Sequence, residues 1–309
     1  MQTDLTDGIQ GGTWRMTVAM GLSGTIGLLV LTSGQSAWTV AWFRCLIGAL
    51  ALLGWLTVRG DWKPVTRAAY GWLLLGAVAL VANWVLLFSS YSKSGIAVAT
   101  VVYHVQPFFL IFLAALMQRE HPDWKKMPWL ILALVGVGLS TGVQWGKPLS
   151  MDQTIGVGMA LSAAFLYAVA TLATKKISGV SASQIAGLQL LLGAGLLAPW
   201  IQFSVESFTP TTWVMLFTMG LVHTGLMYNL MYTAFQSLSA ERIAVLSYIY
   251  PLVAIIVDLV VFHLVLEGTQ VLGMLLILSA IVAHQRGWEF SLPQRKCGLH
   301  ISRVRRSPK

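Results

Sequence analysis

Tyr103, His104 and Gln106 can hydrogen-bond and Pro107 cannot continue a helix ladder, yet all four interrupt one apolar run, VVYHVQPFFL at residues 101–110. A second stretch, LSYIYPLVA at 246–254, repeats the outline with Ser247, Tyr248 and Pro251. Polar groups in hydrocarbon cost free energy unless they are paired or wetted, so both stretches are expected to face a protein interior or a water-filled hole. Helical spacing of three and four puts Thr100, Tyr103, His104 and Pro107 on one stripe, and Ala244, Ser247, Tyr248, Pro251 and Asp258 on another. Each proline lacks an N–H and so frees a carbonyl one turn earlier, either as a ligand acceptor or hinge, or simply as a packing kink. Asn83 and Trp84, then Ser162 and Tyr167, then Tyr228, Asn229 and Tyr232 fall at comparable depth in other apolar runs. Together these side chains describe a wall of aromatic faces and neutral hydrogen-bonding groups. Such a wall suits neutral, zwitterionic or amphipathic small molecules, and its rings also accept cations.

Two charged residues stand inside apolar runs. Arg44, in AWFRCLIGALAL, and Asp258 lie about 10 and about 12 Å from the helix ends that face one side, at the helical rise per residue. Opposite charges in a low dielectric pair or stay neutral, so the two form a structural ion pair or, if apart, Asp258 is a proton-binding coupling carboxylate. His104 and His223 also titrate, and His223 lies roughly 140° from Tyr228 on a regular helix, off the aromatic stripe. There is no G-x-x-x-x-G-K-[ST] loop to grip a nucleotide, no H-E-x-x-H pair, and no Ser-His-Asp spacing. No cofactor, metal or catalytic residue is expected. A phosphorylated ligand calls for two or more buried cations, and Arg44 is the single candidate.

What must position these residues is a membrane bundle. With 56% of its 309 residues hydrophobic and only 10% charged, the chain has too little polar surface to cover a water-soluble globule. Apolar runs long enough to cross lipid recur near 15–32, 37–58, 68–88, 95–117, 127–145, 155–173, 182–203, 212–235, 243–266 and 270–286. Ten crossings put both termini on one side. Arg15; Arg59, Lys63 and Arg67; Arg119, Lys125 and Lys126; Lys175 and Lys176; Arg242; and a basic tail then share that side, while the other holds only Lys93 and Lys147. The bias makes the shared side cytoplasmic, with residues 1–14 and 287–309 as cytoplasmic tails. The first fourteen residues carry Asp4 and Asp7 and no basic residue, unlike a cleaved signal, so the first helix is expected to stay. The net charge of +9 follows from this asymmetry. Lipid is the expected partner, and nucleic acid is not. Cys45 and Cys297 are not expected to meet. Trp14, Trp38, Trp62, Trp129, Trp145 and Trp288 sit at helix ends as interface anchors. Small residues on helix five (Gly136, Gly138, Ser140, Gly142) and helix seven (Gly193, Gly195) allow close packing, expected within one chain in preference to a homodimer through helices five and ten.

The chain also repeats itself. A shift of 144 residues carries Pro107 onto Pro251, Gln106 onto Tyr250, His104 onto Tyr248, Val101 onto Val245 and Trp84 onto Tyr228. Five helices separate the copies, and an odd number turns the second copy, 155–286, upside down relative to the first, 15–145. The stretches SYSKSGIAVATVVYHVQPFFLIFLAALMQRE and AFQSLSAERIAVLSYIYPLVAIIVDLVVFHLVLEGTQVLG resemble the two EamA-type repeats of the drug/metabolite transporter superfamily. In that family each repeat has a small-residue turn, a helix with a central proline, and usually a Gly-Glu pair about one helix later. The first copy carries Arg119-Glu120 there, and the second departs from the pattern with His263 and Leu264. Arg44 matches a frequent arginine of the family's second helix. The resemblance implies an all-α integral membrane protein of ten transmembrane helices in two inverted five-helix repeats. It further implies an exporter, with a central cavity lined by helices one, three, four, six, eight and nine. Joined to the wall chemistry, it leads us to expect a secondary exporter in a bacterial inner membrane whose cargo is amino acids, aromatic ones included. Drugs, organic cations and purine-like metabolites stay open as cargo, as do a channel and a membrane-embedded enzyme as classes.

Overall fold

A computed structural model of the chain describes residues 2–119, 124–141, 148–201, 208–261 and 267–288, and within these the side chains of residues 2–7, 31, 96, 97 and 258 are excepted. Among the described residues the protein is all helix, with no strand. The helices are α1 (Gln2–Gly24), α2 (Ile26–Ser33), α3 (Ala37–Arg59), α4 (Arg67–Ser94), α5 (Ile96–Tyr103), α6 (Gln106–Gln118), α7 (Met127–Ser140), α8 (Met151–Lys175), α9 (Ala182–Leu197), α10 (Pro210–Gly220), α11 (Met227–Ser237), α12 (Ala240–Leu246), α13 (Ile249–Val261) and α14 (Gly268–Gln285). Eight continuous or broken helical rods are long and apolar enough to cross a membrane, and α7 is a shorter apolar helix. With the α1–α2 rod they make ten spans, broken where α1 meets α2, α5 meets α6, and α12 meets α13, and carrying a π turn (Leu221–Leu226) between α10 and α11. Large apolar side chains such as Leu50, Leu74, Phe112, Leu191 and Leu275 are exposed around the bundle, as lipid requires.

The first helix departs from the expected start at Arg15 and begins at Gln2. Apolar periodicity reports where lipid begins, whereas the hydrogen-bond ladder of a helix can run on past it. Elsewhere local chemistry marks the ends. Ser36, Ser181, Thr209 and Ser239 cap α3, α9, α10 and α12 through their hydroxyls. At α8, Ser150 and Gln153 form a reciprocal capping box that satisfies two orphan N–H groups. Gly60 closes α3 in the left-handed region at φ 67°. Arg119 closes α6 at φ 57°, and it is the only non-glycine with positive φ among the described residues. Glu120, His263 and Leu264, the other residues at the expected Gly-Glu positions, lie outside the described residues.

Packing follows the repeat. The third span (α4) lies along the sixth (α8) as the eighth (α11) lies along the first (α1). Likewise α6 meets α8 as α13 meets α1, while the fifth span packs on the tenth and the second on the seventh. Glycines set the closest approaches. A Cβ on Gly156 would meet Ser94 N at 2.7 Å, and one on Gly12 would meet Leu238 Cγ at 3.1 Å, so the 144-residue shift maps one contact onto the other. Gly136 and Gly273 face each other's carbonyl oxygens and Ser140 lies against Gly273, so Gly136 and Ser140 of the fifth span pack against the tenth within the chain. Polar bonds fasten the same places: Lys93 pairs with Asp152 at 3.0 Å beside Ser94. Lys175 donates to the carbonyls of Phe235 and Leu238, the last acceptors of α11.

Candidate functional site

The fourth span breaks at His104 and Val105, and the ninth at Ser247 and Tyr248. At both breaks the backbone tightens to bonds three residues apart: Val105 N to Val102 O and Phe108 N to Val105 O in one, Tyr248 N to Val245 O and Tyr250 N to Ser247 O in the other. In a regular helix Phe108 N would bond His104 O, so the break removes that carbonyl's helical donor. Tyr248 Oη donates to it instead, at 3.1 Å across the bundle. The two breaks thus hold each other through residues that the repeat makes equivalent. The His104 ring stacks with Tyr250, 5.3 Å away with planes 18° apart, and with Tyr248, 6.0 Å away at 30°. His104 Nδ1 lies 2.6 Å from Thr100 O, so Nδ1 carries the proton and Nε2 is left as the acceptor.

Around this junction the third span supplies Asn83, Tyr103's partner, and the sixth supplies the carbonyl of Ala163. Asn83 Nδ2 donates to Ala163 O at 2.6 Å and to Tyr103 Oη at 3.3 Å, which fixes the amide's orientation. Its Oδ1 is buried with no protein partner among the described residues, and so is Oε1 of Gln106, the residue before Pro107. Tyr103 meets Tyr167 edge-on at 6.2 Å, and Tyr167 Oη reaches Met231 Sδ at 3.7 Å. Trp84 meets Tyr228 edge-on at 5.6 Å, and Tyr228 continues to Tyr232 at 5.5 Å. His104, Gln106, Asn83, Trp84, Tyr228 and Tyr248 are all buried.

Sequence comparison decides what kind of protein carries this site. The signature described as the EamA-like transporter family matches residues 13–142 and again residues 154–283. The chain belongs to the EamA-like transporter family. An uncharacterized transporter of Bacillus subtilis, YxxF, is 28% identical over 86% of this chain and 87% of its own length. An uncharacterized transporter of Archaeoglobus fulgidus is 26% identical over 84% of this chain and 91% of its own. A solved crystal structure superposes with a TM-score of 0.78 over 90% of this chain and 97% of that one at 18% identity, which bears on the fold. The protein is therefore an integral membrane transporter of two EamA repeats.

Within this EamA-like transporter the anticipated residues divide. Thr100, Tyr103, His104, Tyr167, Tyr248, Asn83, Trp84 and Tyr228 come together as described, with Pro107 and Pro251 buried in the first turns that follow the two breaks. Asn229 instead turns to the seventh span, where its Oδ1 accepts from Ser183 Oγ at 3.0 Å. Tyr232 extends the aromatic column but sends its hydroxyl the same way, to Gln189 Oε1 at 2.6 Å. The hydroxyl of Ser247 is consumed locally by Ile243 O and Ala244 O. Ser162 is exposed and bonds its own helix at Gly158 O. The side chain of Asp258 lies outside the described residues. Arg44 is held by other groups: Nε donates to Thr224 Oγ1 at 3.1 Å, Nη2 to His223 O at 3.3 Å, and the guanidinium covers Trp84 at 4.1 Å from the ring centroid. One residue joins the site beyond those anticipated, Tyr250, which stacks on His104. The 144-residue shift pairs it with Gln106, and that was the signal available in the sequence. Among the described residues no cluster of three or more His, Cys, Asp or Glu stands ready for a metal ion.

Proposed function

We propose that this transporter exports small neutral, zwitterionic or amphipathic metabolites, with amino acids, aromatic ones included, as the first cargo class. The observation that carries the reading is the buried acceptor Asn83 Oδ1, without a protein donor among the described residues, on a side chain that donates to Tyr103 in a column of rings running through His104, Tyr167, Tyr248 and Tyr250. A buried acceptor without a donor is costly, and a ligand bearing N–H groups offsets that cost while its apolar part meets the rings. The path is alternating access. The Gly156–Ser94 and Gly12–Leu238 contacts are repeat equivalents at the start of the sixth and first spans, so opening one while closing the other exposes the site to each side in turn. Basic residues at the ends of the spans favour both termini in the cytoplasm of a bacterial cell, with the protein in its plasma membrane as a monomer.

The test is counterflow in proteoliposomes preloaded with a panel of unlabelled amino acids and organic cations. Labelled amino acid should accumulate transiently and saturably, and His104→Ala or Tyr248→Ala should each lower the flux. Flux that rises linearly with concentration, or flux untouched by both substitutions, overturns the assignment.

A further inference from the structure

Arg44 is the one Lys, Arg, Asp or Glu side chain fully buried among the described residues, at 1% exposure. A guanidinium offers five N–H donors, and this one uses two, on Thr224 Oγ1 and His223 O, both neutral acceptors. Nη1 has no acceptor, and no carboxylate pairs with the group, among the described residues. The neighbours add no negative charge. Thr224 gives its own proton to Met219 O at 2.8 Å and so can only accept from Arg44. His223 Nδ1 faces Thr218 O at 3.4 Å and donates to it, so Nε2 is the acceptor toward Thr25 Oγ1 at 2.7 Å and the ring is neutral. The π turn therefore surrounds a full positive charge with neutral groups. Besides those two acceptors the guanidinium lies on the face of Trp84, and that ring leads by edge contact to Tyr228 and the site.

We propose that the free edge of Arg44 is the carboxylate anchor of this transporter. The cargo carries one carboxylate, which lies against Nη1 and Nη2 while its apolar body runs along Trp84 and Tyr228. A buried guanidinium without an anion is unfavourable, and a carboxylate completes it with two parallel charge-assisted hydrogen bonds that an amide, amine or alcohol cannot make. A single cation balances a single carboxylate, whereas a dicarboxylate or phosphate would leave net negative charge in an apolar site. Organic cations are repelled. This assignment rests on the site's role in cargo binding and narrows the cargo proposed above.

Two acid and amide pairs test it on the purified full chain in detergent: L-phenylalanine with L-phenylalaninamide, and 3-phenylpropionate with 3-phenylpropionamide, each titrated for thermal stabilisation. In the wild type each acid should bind about tenfold or more tightly than its amide, the discrimination a bidentate ion pair provides. Arg44→Gln should bring the ratio close to one, and Arg44→Lys should keep part of it. Should Arg44→Gln fail to fold, the wild-type ratio and the Arg44→Lys ratio still decide the matter. Equal binding of acid and amide, no stabilisation by either acid, or a ratio that survives in Arg44→Gln overturns the anchor. A structural role for Arg44 would move stability and leave the ratio alone. If 3-phenylpropionate binds through Arg44 while no amino acid binds or exchanges, the anchor stands and the amino-acid reading falls. If amino acids exchange but acid and amide bind alike, the reverse holds.

Discussion

Replacing Tyr248 by Phe removes one oxygen and leaves the ring that faces His104 in place. The oxygen makes the 3.1 Å bond to His104 O, and both partners are buried, Tyr248 at 0% exposure and His104 at 2%. Interhelical hydrogen bonds in membrane proteins average about 0.6 kcal/mol and reach about 1.7. This one belongs near the top of that range, because the break in the fourth span has already taken the carbonyl's helical donor: Phe108 N bonds Val105 O instead. Deleting the hydroxyl leaves a buried carbonyl unsatisfied, at a cost of about 1–3 kcal/mol where no water reaches it. The two ranges overlap at about 1–2 kcal/mol. Unfolding free energy measured in mixed micelles should therefore fall by that amount in Tyr248→Phe, with the helical content of the folded state unchanged. A loss below about 0.5 kcal/mol would mean that the bond across the repeats carries nothing beyond an ordinary interspan contact. A loss above about 4 kcal/mol would mean that the ring packing had been disturbed as well, and would refute the reasoning from a single hydrogen bond.

The equivalent glycines should not respond equally. A Cβ on Gly156 meets the backbone nitrogen of Ser94 at 2.7 Å, whereas the Cβ on Gly12 meets only side chains of Ser237 and Leu238; Gly156→Ala should cost about 1–3 kcal/mol of stability and Gly12→Ala clearly less, since side chains can turn away and backbone cannot. Arg119 holds a left-handed conformation at φ 57°, so Arg119→Gly should raise unfolding stability by roughly 1 kcal/mol, and a loss would contradict the strain. Lys93 and Asp152 pair with side chains 38% and 74% exposed; Lys93→Ala should change stability by under about 0.5 kcal/mol, because exposed ion pairs contribute little.

The sequence displayed the parts of the fold that depend on hydrocarbon length and on repetition. Apolar runs bounded by charge give the spans because lipid enforces a minimum length. Pro107 and Pro251 announce the breaks because proline cannot donate. The 144-residue shift then names His104 and Tyr248 as partners, and the structure joins them by a hydrogen bond. Other features have no such signature. The π turn at Leu221–Leu226 inserts an extra residue into the eighth span, and a regular helical wheel, which puts His223 off the aromatic stripe, does not show that it is buried beside Thr25 and bears the carbonyl that holds Arg44. Asn229 and Tyr232 share a stripe with Tyr228 on that wheel, yet their polar atoms follow the seventh span's Ser183 and Gln189. Which neighbour a side chain meets is settled by interspan packing, and polarity along one strand of sequence does not record it. The partners of Arg44 were hidden for the same reason: a wheel registers depth and side but not a neighbouring helix's irregular turn.

The site and its alternating access both require two halves that run opposite ways through the membrane. Single cysteines at Ser92 and Ser237, both exposed, mark the ends of the third and eighth spans, which the repeat makes equivalent. In a Cys297→Ser background, with Cys45 buried, a membrane-impermeant thiol reagent applied to intact cells should label Ser92→Cys and spare Ser237→Cys, and inside-out vesicles should give the opposite pattern. Labelling of both positions from one face would contradict the inverted repeat, and with it the site that the two halves enclose.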